Sequence, residues 1–171
     1  DIQCGRIDTT GYATNVAGIE IGSANIGLKV YGNNLHNINQ VSRQYGAFGI
    51  YLSGTSAVSD ISIYNNFIRA ITASKSNTMA SSAGISNHGI FVEGPATNLS
   101  IDYNTIALNT ANLVGDTANS LSSAVAITSA SAAVSSIRNN ILLNSNTSTN
   151  AYGLFTVASG NISGAVVNYN D

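Results

Sequence analysis

Apolar and polar positions along this chain recur as short phrases in fixed phase. An apolar residue is followed three positions on by Asn, and two positions later by a second apolar residue. The phrase reads Val30, Asn33, Leu35, then Ile63, Asn66, Ile68, then Ile101, Asn104, Ile106, then Ile137, Asn140, Leu142, and last Val167, Asn170. The asparagines are separated by 33, 38, 36 and 30 residues. Self-similarity at such a period is the signature of stacked repeats, each of which buries its apolar side against the next.

A second phrase travels with the first: Gly, then apolar, any residue, apolar. It occurs at Gly18, Ile19, Glu20, Ile21, at Gly49, Ile50, Tyr51, Leu52 and at Gly89, Ile90, Phe91, Val92. Weaker forms stand at Ala124, Val125, Ala126, Ile127 and at Gly153, Leu154, Phe155, Thr156. Alternation over three or four residues predicts a half-buried strand whose first and third side chains face one way. Each repeat therefore carries at least two strands. A third is expected where the apolar residue after each Asn turns the chain inward again.

Asn suits the repeated corner for two reasons. If successive repeats stack by parallel pairing about 4.8 Å apart, equivalent residues superpose and their amides can bond in a column. Asn also tolerates the left-handed backbone that a tight bend needs, so the ladder residue itself is expected to make the bend. Between the phrases, Asn, Ser, Thr, Gly and Ala fill stretches such as 72–86 and 144–150, which read as surface loops. Pro95, the only proline, falls in another.

With 171 residues, 44% hydrophobic and 8% charged, the chain can bury a substantial core and is unlike a disordered one. The phrases Ile63, Tyr64, Asn65, Asn66, Phe67, Ile68 and Ile137, Arg138, Asn139, Asn140, Ile141 resemble the repeat motif of right-handed parallel β-helix proteins of the pectate-lyase-like architecture. The Ser/Thr/Asn-rich loops and the ending Asn168, Tyr169, Asn170, Asp171 are similar to β-helical segments of large bacterial secreted or surface proteins. The resemblance covers roughly residues 18–171. It implies an all-β, right-handed parallel β-helix solenoid of about five coils, with Asn33, Asn66, Asn104, Asn140 and Asn170 as an inner ladder. It also implies an extracellular or cell-surface setting. It does not fix function, because such folds carry enzymes, adhesins and passive stalks alike.

Candidate chemistry is sparse. The eight carboxylates form no Asp-Asp pair or Asp-x-Asp triplet, and the paired-Asp and Arg-x-Lys motifs of β-helical pectin hydrolases are missing. Asp60 and Asp102 read as solvated outer-face residues, with Arg138 placed for an ion pair to Asp102. His88 stands before Gly89 and reads as a polar loop-end histidine. His36 lacks a second ligand at metal-site spacing, so no metal or other cofactor is assigned. Cys4 is the only cysteine and reads as a small buried hydrophobe. No catalytic residue is proposed. The middle residues of the Gly-led strands, Glu20, Tyr51, Phe91, Ala126 and Phe155, are expected on an outer face. There Tyr51, Phe91 and Phe155 form a candidate glycan-stacking surface, or else pack on one another under a loop. Tyr31 and Tyr64 form a second outward pair.

A net charge of −2 with six scattered basic residues argues against nucleic acid. No apolar run reaches membrane-spanning length. The chain opens at Asp1, and its fifth phrase stops at its Asn. Both suggest that residues 1–171 are one β-helix domain cut from a longer array, with 1–17 a degenerate preceding coil. Two functional readings follow. The first is a noncatalytic structural or adhesive module, whose partners are neighbouring coils of a longer parent chain or further copies of itself. The second is a carbohydrate-binding or polysaccharide-degrading domain with glycan on the aromatic face.

Overall fold

The structure is a computed structural model that describes residues 2–6, 15–40, 45–73, 85–109, 121–146, 150–158 and 161–171, with side chains left aside at 2–6, 85 and 86. All of its long regular elements are strands. β1 (Ile2–Arg6) comes first. Repeat 1 then contains β2 (Val16–Ile21), β3 (Lys29–Tyr31) and β4 (Asn34–Gln40). Repeat 2 contains β5 (Ala47–Leu52), the short β6 (Val58–Ser59), β7 (Ser62–Tyr64) and β8 (Phe67–Ala73). Repeat 3 contains β9 (Ile85–Val92), β10 (Ala96–Asp102) and β11 (Thr105–Leu108). Repeat 4 contains β12 (Leu121–Ile127), β13 (Ala132–Arg138) and β14 (Ile141–Asn144), and repeat 5 adds β15 (Asn150–Thr156) and β16 (Val166–Asn168).

These strands form three parallel sheets, and each complete repeat gives one strand to each sheet in rotation. Sheet 1 has the order β15-β12-β9-β5-β2, sheet 2 β16-β13-β10-β7-β3, and sheet 3 β1-β4-β8-β11-β14. This all-β, parallel arrangement is compatible with a β-solenoid. β1 pairs with β4 through Ile2 opposite Leu35, so the opening residues supply a sheet 3 strand that precedes repeat 1.

Register explains the apolar phrases. Val30, Ile63, Ile101, Ile137 and Val167 lie opposite one another down sheet 2. Leu35, Ile68, Ile106 and Leu142 do so down sheet 3, and Ile19, Ile50, Ile90, Val125 and Leu154 down sheet 1. The central members are fully buried in one core drawn from all three sheets. Each such side chain contributes about 1.5–3 kcal/mol by leaving water. Because equivalent residues superpose, a single β-branched type can repeat down a column.

The glycines of the second phrase mark a departure from simple alternation. Phe48 and Tyr51, three residues apart, both leave the core, while Ile50 points into it. A Cβ added at Gly89 would sit 2.3 Å from Ile106 Cγ2 and 2.6 Å from the Ala124 carbonyl oxygen. One at Gly49 would meet Ile68 Cγ2 and the Gly89 carbonyl, each at 2.5 Å. Glycine thus lets sheet 1 approach the isoleucines of sheet 3. The positions on either side of the Gly–Ile pair both emerge on the outer face, and they keep this register in repeat 4, where Ala124 replaces the glycine.

The corner before sheet 3 corrects one expectation. The left-handed residues are Gly32, Asn65, Tyr103, Asn139 and Tyr169, at φ of 67, 53, 59, 55 and 51°. Each immediately precedes a ladder asparagine. The bend and the buried amide are therefore handled by two adjacent residues, which leaves the ladder position free for its side chain to point inward. A second left-handed column, Gly27, Asp60 and Asn98, stands earlier in sheet 2. Of the stretches read as loops, Thr72 and Ala73 close β8, Ile85 and Ser86 open β9, and Asn144 and Asn150 lie in β14 and β15. Residues 74–84 and 147–149 lie outside the described residues. So does the side chain of Cys4, although its backbone belongs to β1.

Candidate functional site

The five ladder asparagines come together in one column. Asn33 Nδ2 donates to Asn66 Oδ1 at 3.0 Å, Asn66 Nδ2 to Asn104 Oδ1 at 3.0 Å, Asn104 Nδ2 to Asn140 Oδ1 at 3.1 Å, and Asn140 Nδ2 to Asn170 Oδ1 at 2.9 Å. Each accepting oxygen takes a second bond from the backbone N–H of the preceding asparagine, at 2.8–3.2 Å. The other Nδ2 hydrogen goes to the carbonyl of Val30, Ile63, Ile101 or Ile137 in the preceding repeat. Asn66, Asn104 and Asn140 are almost wholly buried, and this pattern satisfies their amides on both sides. The column is a structural device with no reactive group.

On the outer face of sheet 1 the aromatic residues pack on one another, one of the two arrangements expected from the sequence. Tyr51 and Phe91 are adjacent, with ring centroids 5.4 Å apart, yet they are 7% and 1% exposed. Both pack on Phe48, at 4.8 and 4.7 Å, in an apolar cluster separate from the main core. Phe155 is half-buried, packs against the edge of this cluster one register step beyond Ala126, and contacts Tyr152 at 5.5 Å. An open stacking platform over Tyr51, Phe91 and Phe155 is thus not formed, because the first two present their faces to one another and to Phe48.

Sequence reasoning missed the second outward column, Phe48, His88, Ser123 and Tyr152, since strict alternation turns those residues inward. His88 is not a loop-end residue. It lies in β9, fully buried against both Phe48 (5.7 Å) and Phe91 (4.9 Å). Neither ring nitrogen has a hydrogen bond of standard geometry among the described residues. Burial pushes its pKa down to about 3, offset only in part by the nearby Ser123 backbone, so the imidazole is neutral. Its aromatic neighbours and low basicity fit a packing role.

Carboxylates meet on the same side of the molecule. Tyr51 Oη donates to Glu93 Oε2 and accepts from Asn15 Nδ2 at 3.5 Å, while Glu20 accepts a bond from Ser53 Oγ. Burial first, then Glu93, raise the Tyr51 pKa well above its ordinary value. Glu20 precedes Tyr51 in register and Glu93 follows it by one repeat, so two exposed carboxylates flank one phenol. Glu93 lies beyond the strand phrase, and no spacing rule in the sequence points to it.

On sheet 2, Asp102 is buried rather than solvated. Its Oδ2 accepts from Ser136 Oγ at 2.9 Å and pairs with Arg138 Nε at 3.4 Å, matching the expected ion pair. Asp60 is exposed and accepts from Asn98 Nδ2 at 2.6 Å; it lies in register with Asn98, four residues before Asp102, so the two carboxylates are not brought together. Tyr31 and Tyr64 stack at 5.0 Å with rings 2° from parallel, and Tyr31 stays 58% exposed. His36 is buried on the outer side of sheet 3. Among the described residues, no group of three or more His, Cys, Asp or Glu is arranged to hold a metal. Compared with family models, curated proteins and solved structures, the chain matches none.

Proposed function

We propose that this chain is a noncatalytic, right-handed parallel β-helix module of a secreted or cell-surface protein, which acts as a rigid element for extension and presentation. The observation that carries this reading is how four carboxylates among the described residues are engaged. Glu20 holds Ser53, Asp60 holds Asn98, Glu93 holds Tyr51, and Asp102 holds Ser136 and Arg138. Each bond joins one repeat to the next, so groups that could act as acid, base or cation ligand serve to clamp the stack. The asparagine column adds the same linkage inside, giving a rise of about 4.8 Å per repeat that any parent chain can extend.

A second reading, a carbohydrate-binding or polysaccharide-degrading domain, draws support from Glu20 and Glu93 on either side of Tyr51. Incubation of the chain with a panel of plant and bacterial polysaccharides separates the two. The structural reading expects no release of reducing ends and no unsaturated product. Cleavage that disappears in Glu20→Gln or Glu93→Gln would replace it with the second.

A further inference from the structure

We infer that the corner between sheets 2 and 3 is a contact face for a second copy of this chain, with two copies packed side by side along it. The inference rests on the structural reading above, for which it names a partner.

Exposed apolar groups are concentrated here. Tyr31, Phe67, Tyr103, Ile141, Leu143 and Tyr169 are 58, 42, 56, 51, 52 and 80% exposed, and they are six of the eleven large hydrophobic residues exposed among the described ones. They occupy neighbouring register columns: Tyr31 ends β3, Tyr103 and Tyr169 stand at the bend, Phe67 and Ile141 open their sheet 3 strands, and Leu143 lies two residues on. If an open side chain of this class presents about 150–250 Å², the six together expose on the order of 600 Å². That is at the upper end of apolar patches on monomers, and close to one partner's share of a modest interface, roughly 600–800 Å².

Backbone conformation gives an independent pointer. The bend column reads Gly32, Asn65, Tyr103, Asn139, Tyr169, all left-handed. Gly and Asn accept that conformation readily, whereas Tyr does so at a cost, and here the rings gain little burial in return. Residues held in a costly conformation while facing water suggest a use outside the fold.

The chemistry selects the occupant. Asp102 and Arg138 neutralise each other, while Arg69 keeps its charge over the Phe67 ring at 5.6 Å and exposed Lys29 lies beside Tyr31, so the charge at this face sits on the side chains that border the rings. Ile141 and Leu143 offer a sugar no hydrogen bond, but an apolar protein face covers them. Along the bend, two rings flank the shorter Asn139. An inverted copy places a ring in each opposing gap, as a two-fold, self-complementary contact requires.

Sedimentation equilibrium on the intact chain, from micromolar to near-millimolar concentration, tests this. A reversible monomer–dimer equilibrium is expected, weakened at least tenfold in Y103N/Y169N with no fall in thermal midpoint, because Asn suits the left-handed bend. Leu143→Glu reads the same face without touching the bend, and a tenfold loss is expected there too. Tyr152→Ser, on sheet 1, leaves dimerisation unchanged. A monomer throughout, a dimer indifferent to these corner variants, or a monomer that binds neutral polysaccharide through Tyr103 would each overturn the inference. The first two outcomes leave the polysaccharide-cleavage test untouched, so the contact face can fail while the structural reading stands; the third would overturn the contact face and favour the carbohydrate-binding reading.

Discussion

Two aromatic surfaces of this molecule contrast sharply. On sheet 1, Phe48, Tyr51, His88 and Phe91 stack on one another and are nearly inaccessible. At the corner between sheets 2 and 3, Tyr103 and Tyr169 stand open on left-handed backbone. The first set contributes to stability through burial and ring contacts, while the second costs stability and gains little packing. Residue type alone does not distinguish them, since both include tyrosines that emerge from a strand or its end. What separates them is the departure from alternation in sheet 1, which puts Phe48 and Tyr51 of repeat 2 and His88 and Phe91 of repeat 3 on one face.

The largest expected effect lies beneath the open corner. Replacing Asn104 with Leu removes an amide that accepts from Asn66 and donates to Asn140 and Ile63, leaving several buried polar groups without partners. A loss of roughly 3–5 kcal/mol in urea-induced unfolding is expected. The half-exposed Asn170 should cost about 1 kcal/mol when changed likewise, because water replaces part of what is lost. Equal losses at the two positions would break the picture of a buried column with open ends.

Next comes the buried face. Gly89→Ala forces a methyl against Ile106 and the Ala124 carbonyl, and overpacking of this kind costs about 1–3 kcal/mol. Gly22→Ala, with nothing within 4 Å, should cost little. The same face carries a pH dependence. His88 has its folded pKa lowered to about 3, so the unfolded chain binds the extra proton first. Its contribution is complete above the unfolded value of about 6.5, and it is lost progressively as pH falls from there toward 3. His88→Phe should flatten that limb of the stability curve, whereas an unchanged limb would remove His88 as its source.

The smallest effect has the opposite sign. Tyr103→Asn relieves a left-handed tyrosine that is more than half exposed, and should raise stability by about 0.5–1 kcal/mol in the same unfolding experiment. A loss there would mean that the ring is packed after all, and the contrast between the two surfaces would narrow.

Much of the scaffold was legible in the sequence because superposition imposes one residue type on a column. The asparagines and the isoleucines of all three sheets announce themselves in this way. The bend was misassigned because its column mixes Gly, Asn and Tyr, which hid the left-handed position beside the constant Asn. The Phe48, His88, Ser123 column is hidden because a two-residue period does not hold across sheet 1, where two successive residues, such as Ala124 and Val125, both face the core. Burial of Tyr51 and Phe91 was open at the outset, since pattern gives the direction of a side chain but not what covers it. The Glu20, Tyr51, Glu93 grouping depends on a turn residue one repeat away, a relation that only register reveals.

Everything here depends on one chain of side-chain amides passing through the interior. Scalar couplings transmitted across hydrogen bonds, measured by NMR from each Nδ2 to the carbonyl carbon of the next asparagine, read that chain directly. Couplings linking Asn33 to Asn66, Asn66 to Asn104, Asn104 to Asn140 and Asn140 to Asn170, with slow exchange of the three central amides, are the expected result. Fast exchange at Asn66, Asn104 and Asn140, with no such couplings, would contradict it.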